Sequence, residues 1–195
     1  MNVIEYIQDG FLIIIQAIWA MLPAYLANPA AVLVGGGTPI DFGKNWRDGR
    51  RILGNGKTWR GLFGGAFLGM CIGFIQIGIV RFTNIKYLTD FSIPGSDFGF
   101  IGLLFTLSFG AMLGDAIKSF WKRRKGLERG QKSPYFIDSY DFMLGSWLLT
   151  MSFFWAWFWS TFSIWHLLSV AILTPALHRI VNIIGYKMGK KEEPW

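Results

Sequence analysis

GLFGGAFLGMCIGFIQIGIV, residues 61–80, carries no charged side chain and is bounded by Arg60 and Arg81. A helix crossing the hydrocarbon core of a bilayer needs about 20 consecutive, mostly apolar residues, and this run supplies them. Its flanking arginines sit where cationic heads reach the interface. Working outward, residues 98–114 form a second such run, which passes directly into Asp115. Residues 11–34 form another, with Tyr25 as their only ionisable group, and Pro23 and Pro29 predict an irregular exit. Residues 142–177 have no charged side chain, and continuing to Tyr186 adds only Arg179. That stretch is too long for one crossing and predicts a hairpin turning near Ser160 to Ser163, with Pro175 kinking its second limb.

The expected fold is therefore a single all-α polytopic membrane domain over 1–195. Its five spans lie near 11–34, 61–80, 98–115, 142–160 and 164–186, with large loops at 35–60 and 116–141. Composition agrees: ten Trp and eighteen Phe are unusual for a surface facing water, and just over half the residues are apolar. The first charges are Glu5 and Asp9, which does not fit the basic start of a cleavable signal peptide. Cys71, the only cysteine, excludes an internal disulfide and a cysteine metal cluster.

The formal net charge of +7 is placed between the apolar runs, which favours basic loops at a membrane over nucleic-acid binding. One loop holds Lys44, Arg47, Arg50, Arg51, Lys57 and Arg60. The other holds Lys118, Lys122, Arg123, Arg124, Lys125, Arg129 and Lys132. Only Arg81 and Lys86 fall on the opposite side. The positive-inside rule then predicts an outer N-terminus, both large loops and the C-terminus in the cytoplasm, and a multi-pass cell-membrane protein with its site facing the cytoplasm. Trp46, Trp59, Trp121 and Trp147 near span ends suit interfacial anchoring.

The first loop interleaves glycine with cations: Gly35-Gly36-Gly37-Thr38-Pro39-Ile40-Asp41, then Arg50-Arg51, then Gly54-Asn55-Gly56-Lys57-Thr58. Glycine lets backbone N–H groups approach an anion, and Lys or Arg neutralises it. The last segment superficially echoes a phosphate-binding loop, but it lacks Walker A spacing and no strand precedes it, so the echo alone is a weak signal. A basic loop resting on anionic headgroups is the plainer alternative. Asp41 is open to two roles, a nucleotide contact or loop ordering.

The second loop carries carboxylates. Asp115 stands late in its span, where the helix dipole disfavours an anion, and an ionisable group at such a position suggests function. Asp115, Lys118, Ser119 and Lys122 share one helical face. Asp138 and Asp141 lie three residues apart, although either one could simply cap the following helix. Three carboxylates without cysteine are hard oxygen ligands of the kind that bind Mg2+ or Mn2+. His166 and His178 read as structural.

These loops resemble those of the CTP-dependent lipid cytidylyltransferases. Lys57-Thr58-Trp59-Arg60-Gly61 is similar to a lysine-threonine-tryptophan-glutamate-glycine segment of the bacterial enzymes, with Arg60 in place of the acid. Gly114-Asp115 through Lys122-Arg123, followed by Pro134, Asp138 and Asp141, is similar to their signature, although Tyr135-Phe136-Ile137 replaces a histidine-glycine-glycine. That departure, the short chain and the Asp48-Gly49-Arg50-Arg51 block point to the archaeal, CDP-archaeol synthase branch.

The resemblance implies transfer of a cytidylyl group from CTP to an isoprenoid ether lipid phosphate, 2,3-di-O-geranylgeranylglycerol 1-phosphate, with release of pyrophosphate. It implies Mg2+ on Asp115, Asp138 and Asp141, with Lys118 and Lys122 completing the catalytic set. Ser119 and Arg123 would meet the lipid phosphate. Gly36, Thr38, Asp41, Arg50, Arg51, Asn55, Lys57 and Thr58 would meet CTP. A phosphatidate-using enzyme, a CTP-dependent polyprenol kinase and a non-enzymatic membrane scaffold are the competing readings.

Overall fold

The computed structural model describes residues 3–128, 131 and 139–189, with side chains from residue 8 onward. Among these residues there are six helices: α1 Val3–Val34, α2 Trp59–Thr83, α3 Gly99–Arg124, α4 Asp141–Phe153, α5 Trp155–Thr161 and α6 Ile164–Lys187. Four of them, α1 (from Gln8), α2, α3 and α6, are long and apolar enough to cross a membrane.

The expected fourth span is divided. α4 has 13 residues, about 20 Å at 1.5 Å per residue, and stops at Phe154, whose backbone leaves helical geometry. The cause is aromatic packing. Trp157, Phe158 and Phe162 are buried, and the ring of Trp157 stacks on Phe91 with centroids 6.0 Å apart. Phe158 and Phe162 beyond the break are almost fully buried. The turn at Phe162 and Ser163 then starts α6, where Ser163 and His166 form a reciprocal cap.

α1 also departs from expectation, since it stays helical through Pro23 and Pro29 to Val34. A proline lacks the N–H that would bond the carbonyl four residues earlier, so Pro23 leaves Trp19 O without its helical donor. Gln76 Nε2 of α2 donates to that oxygen at 2.8 Å. A neighbouring helix thus repairs the gap, as proline within a membrane helix requires.

α3 is central, packed by α1, α2 and α4. The buried stripe of α1 is small: Ala17, Ala20, Ala24 and Ala27, with Met21. α2 answers with glycines at four-residue spacing. A β-carbon on Gly65 would meet Ala27 O at 2.7 Å, and one on Gly69 would meet Pro23 O at 2.6 Å. Small residues let helices approach closely where lipid gives no hydrophobic drive to associate. Large apolar side chains point outward instead, among them Phe67, Phe105, Leu148 and Ile172.

Candidate active site

The chain's connectivity brings the 35–58 loop, the C-terminal end of α3 and the N-terminal end of α4 to one end of the bundle. The loop is a knitted hairpin. Ile40 N donates to Lys57 O at 2.8 Å, Trp46 N to Arg50 O at 2.7 Å and Ile52 N to Lys44 O at 3.1 Å. Its centre is Asp41, 5 % exposed. Oδ1 accepts from Arg51 Nη2 at 2.7 Å and from Gly43 N; Oδ2 accepts from Arg51 Nε, Leu53 N and, at 2.8 Å, Gly54 N. Burial alone would raise the carboxyl's pKa. The Arg51 guanidinium and the backbone donors of Gly54, Leu53 and Gly43 outweigh it and hold the group well below the ordinary carboxylate range. Of the two roles open to Asp41, this geometry supplies loop ordering.

The knitted loop docks on α3. Arg124 pairs with Asp48 and donates to the carbonyls of Arg50 and Arg51. Arg50 Nη1 returns a bond to Arg124 O at 2.7 Å, and Arg123 Nε donates to Leu53 O at 3.3 Å. Trp46 meets the edge of Phe120 at 5.4 Å, and Arg124 lies over the same ring. Gly54 is required twice: its φ is +91°, and a β-carbon there would meet Arg123 Nε at 3.0 Å.

Docking delivers Lys57 to Asp115. The two form an ion pair across the loop–helix junction. Lys118, one turn along α3, reaches Asp115 Oδ1 at 3.3 Å and Asp141 Oδ2 of α4 at 2.9 Å. Lys57, Asp115, Lys118 and Asp141 therefore form one chain of alternating charge. Glycines make the approach possible: a β-carbon on Gly110 would meet Gly145 O at 2.7 Å, and one on Gly114 would collide with Asp141 O.

The remaining sequence-predicted residues fall into distinct places. Thr58 caps α2, its hydroxyl accepting from Gly61 N at 3.1 Å. Asn55 Oδ1 accepts from Arg51 Nη1 at 2.8 Å. Gly36 and Thr38 are exposed at the exit from α1, and Thr38 O accepts from Trp59 N. Ser119 Oγ bonds back to Asp115 O at 3.0 Å. Lys122 lies half-buried on the same helix. Asp138 lies outside the described residues. Sequence reading missed Arg124 and Asp48 as the docking pair; only their opposite charges in two separate loops signal it.

Among the described residues, no group of three or more His, Cys, Asp or Glu side chains is gathered. Two carboxylates, Asp115 and Asp141, do converge on one ammonium. Asp141 Oδ1 is buried without a hydrogen-bond partner, and Oδ2 is met by Lys118 Nζ at 2.9 Å. An unpartnered buried oxygen on one of two converging carboxylates fits Mg2+, which usually takes one or two carboxylates plus substrate phosphates. Two clefts of about 300 and 420 Å³, around His166 and around Ser96, open at the opposite end of the bundle and touch none of these residues.

Residues 11–195 match the sequence profile of the CarS-like family, CDP-archaeol synthase. The CDP-archaeol synthase of Methanospirillum hungatei is 47 % identical over 175 residues, covering 90 % of this chain and all of the relative. That of Methanoregula boonei is 49 % identical with the same coverage. A solved structure of an intramembrane enzyme for archaeal membrane lipid biosynthesis superposes with a TM-score of 0.67. It is 31 % identical and covers 87 % of this chain and 94 % of that one.

Proposed function

The chain belongs to the CDP-archaeol synthase family, intramembrane enzymes that make CDP-archaeol for archaeal lipid biosynthesis, and we propose that the Lys57–Asp115–Lys118–Asp141 cluster is its reaction centre. The observation that carries this reading is the convergence of those four side chains from three separate segments. The substrates are CTP and a lipid phosphate, which we take to be 2,3-di-O-geranylgeranylglycerol 1-phosphate.

A phosphate oxygen of the lipid forms a bond to the α-phosphorus of CTP, the bond from that phosphorus to the β-phosphate bridge breaks, and pyrophosphate leaves. The attacking oxygen is already anionic near neutral pH, so the protein has no need of a strong general base. Its task is to hold two anions that repel one another in line. Lys57, presented by the docked hairpin, binds the triphosphate. Lys118 and Lys122, on the same face of α3, neutralise phosphate oxygens. Asp41, Arg51 and Asn55 keep the hairpin in shape, and Arg50, Arg123 and Arg124 keep it seated.

Asp115 and Asp141, with Asp138 nearby in the chain, would hold Mg2+, which neutralises charge on the triphosphate and on the leaving group. The reaction centre faces the cytoplasm. The excess of Lys and Arg in residues 35–60 and 116–141 over residues 81–98 supports this.

The test is pyrophosphate release from CTP by detergent-purified protein, with the geranylgeranyl ether phosphate or phosphatidic acid as acceptor. Release that needs lipid, is greater with the ether lipid and is lost in Asp141→Ala supports the reading. Release of CDP in place of pyrophosphate would mean γ-phosphoryl transfer and overturn it.

A further inference from the structure

We propose that Lys118 is a placeholder counter-ion, holding Asp115 and Asp141 together until a divalent cation displaces it. The proposal rests on the metal-assisted reading above. One ammonium lies 3.3 Å from a carboxylate of α3 and 2.9 Å from a carboxylate of α4. The site is sheltered: the side chains of Lys118 and Asp141 are 16 % and 4 % exposed.

Lys57 supplies a second cation to Asp115, so these four side chains carry two positive and two negative charges and balance among themselves. A dication entering this balanced, partly buried set meets two ammoniums at close range, where repulsion is little screened. The protein must therefore release an ammonium, or the cation must arrive with an anion. Lys118 is the one to leave, because it lies between both carboxylates, whereas Lys57, among the described residues, pairs with Asp115 alone. CTP brings the compensating charge, so cation and nucleotide bind together and each binds weakly alone. Lys118, once released, remains on the α3 turn beside Asp115, next to the incoming phosphates. Without its placeholder, the approach of α4 to α3 would hold two carboxylates side by side with Lys57 paired to Asp115 and no cation at Asp141.

A purely structural tie between α3 and α4 makes a different prediction, because losing a tie loosens the carboxylates and weakens any cation they hold. Mn2+ binding, followed by electron paramagnetic resonance in detergent without CTP or lipid, separates the two. Lys118→Gln removes the competitor and is expected to bind Mn2+ about tenfold or more tightly than wild type, the scale of effect of one close charge. Lys118→Arg keeps a competing cation and stays near wild type. Asp141→Asn binds Mn2+ more weakly.

A second readout needs no variant. Acetylation of Lys118 in the wild-type protein, followed by mass spectrometry, is expected to accelerate severalfold on adding Mg2+. Unchanged or weaker Mn2+ binding in folded Lys118→Gln, beside a defective Asp141→Asn, overturns the placeholder role alone. Unchanged labelling of Lys118 at saturating Mg2+ does the same. Asp141→Asn binding Mn2+ as tightly as wild type overturns the metal reading, and this proposal with it.

Discussion

Lys57 and Asp115, 58 positions apart in the chain, meet in an ion pair that joins the first loop to α3. Removing the lysine leaves a partly buried carboxylate that, among the described residues, faces Lys118 alone, and under the proposed function it takes a cation from the triphosphate. Lys57→Met is expected to lower kcat/KM for CTP by about 10²–10³, the range seen when one preorganised charge-stabilising donor is lost. Steady-state pyrophosphate release at varied CTP checks this. An effect under threefold would remove Lys57 from the reaction centre.

Gly114 governs how closely α4 can dock. A β-carbon there collides with Asp141 O, so Gly114→Ala must push the two helices apart. The expected cost is about 1–3 kcal/mol of stability, as for other overpacked sites, together with a large loss of activity as Asp141 moves from Asp115. Gly78→Ala is the control. Nothing lies within 4 Å of its added carbon, and alanine favours the helix by up to about 1 kcal/mol. Thermal midpoints in detergent and turnover of both variants decide the matter.

Gln76 and Pro23 form a compensating pair through Trp19 O. Gln76→Leu is expected to cost about 1 kcal/mol, because it strips that part-buried carbonyl of its donor. Pro23→Ala restores the helical N–H four residues on, so the Gln76→Leu change should cost less in that background. A double-mutant cycle on thermal stability measures the coupling. Strict additivity would sink this account of how α1 tolerates its proline.

Asp41 makes loop stability depend on pH in one direction only. Its carboxyl is held well below the ordinary range in the folded protein, against about 3.9 unfolded. The stabilisation is thus fully present above about pH 4 and is lost as pH falls toward the folded-state value. The stability difference between wild type and Asp41→Asn should be flat from about pH 5 to 8 and shrink below about pH 4. Hydrogen exchange of residues 40–58 across that range reads it; a difference that grows on acidification would reverse the sign.

Chain-local properties were legible in the sequence. The uncharged runs at 61–80 and 98–114 became α2 and α3, because the length of an apolar run is itself what a membrane selects. Near the expected turn at Ser160 to Ser163 the helix does break, between the end of α5 at Thr161 and the start of α6 at Ile164. The split at Phe154 was not legible: no proline or charge announces it, and its cause is the packing of Trp157 on Phe91. Pro23 looked like a disruption because its remedy, Gln76, lies on another helix. At the site, residue types and one-face spacing singled out Lys57, Asp115, Lys118 and Asp141. That Lys118 bridges two helices, and that Asp41 is spent inside its own loop, depends on long-range contacts that no spacing encodes.

The hairpin's seat on α3 uses arginine side chains to grip main-chain carbonyls, those of Arg50, Arg51 and Leu53. Every residue type presents the same carbonyl. Positions such as Ile52 and Leu53 can therefore drift among similar side chains while the loop keeps its place, and sensitivity within the loop concentrates on Asp48, Arg50, Arg51, Gly54 and Asn55. A deep mutational scan of 44–56 should show a sparse pattern, a few intolerant sites in a permissive background. The positions whose side chains make none of these contacts are thereby open to change without unseating the loop.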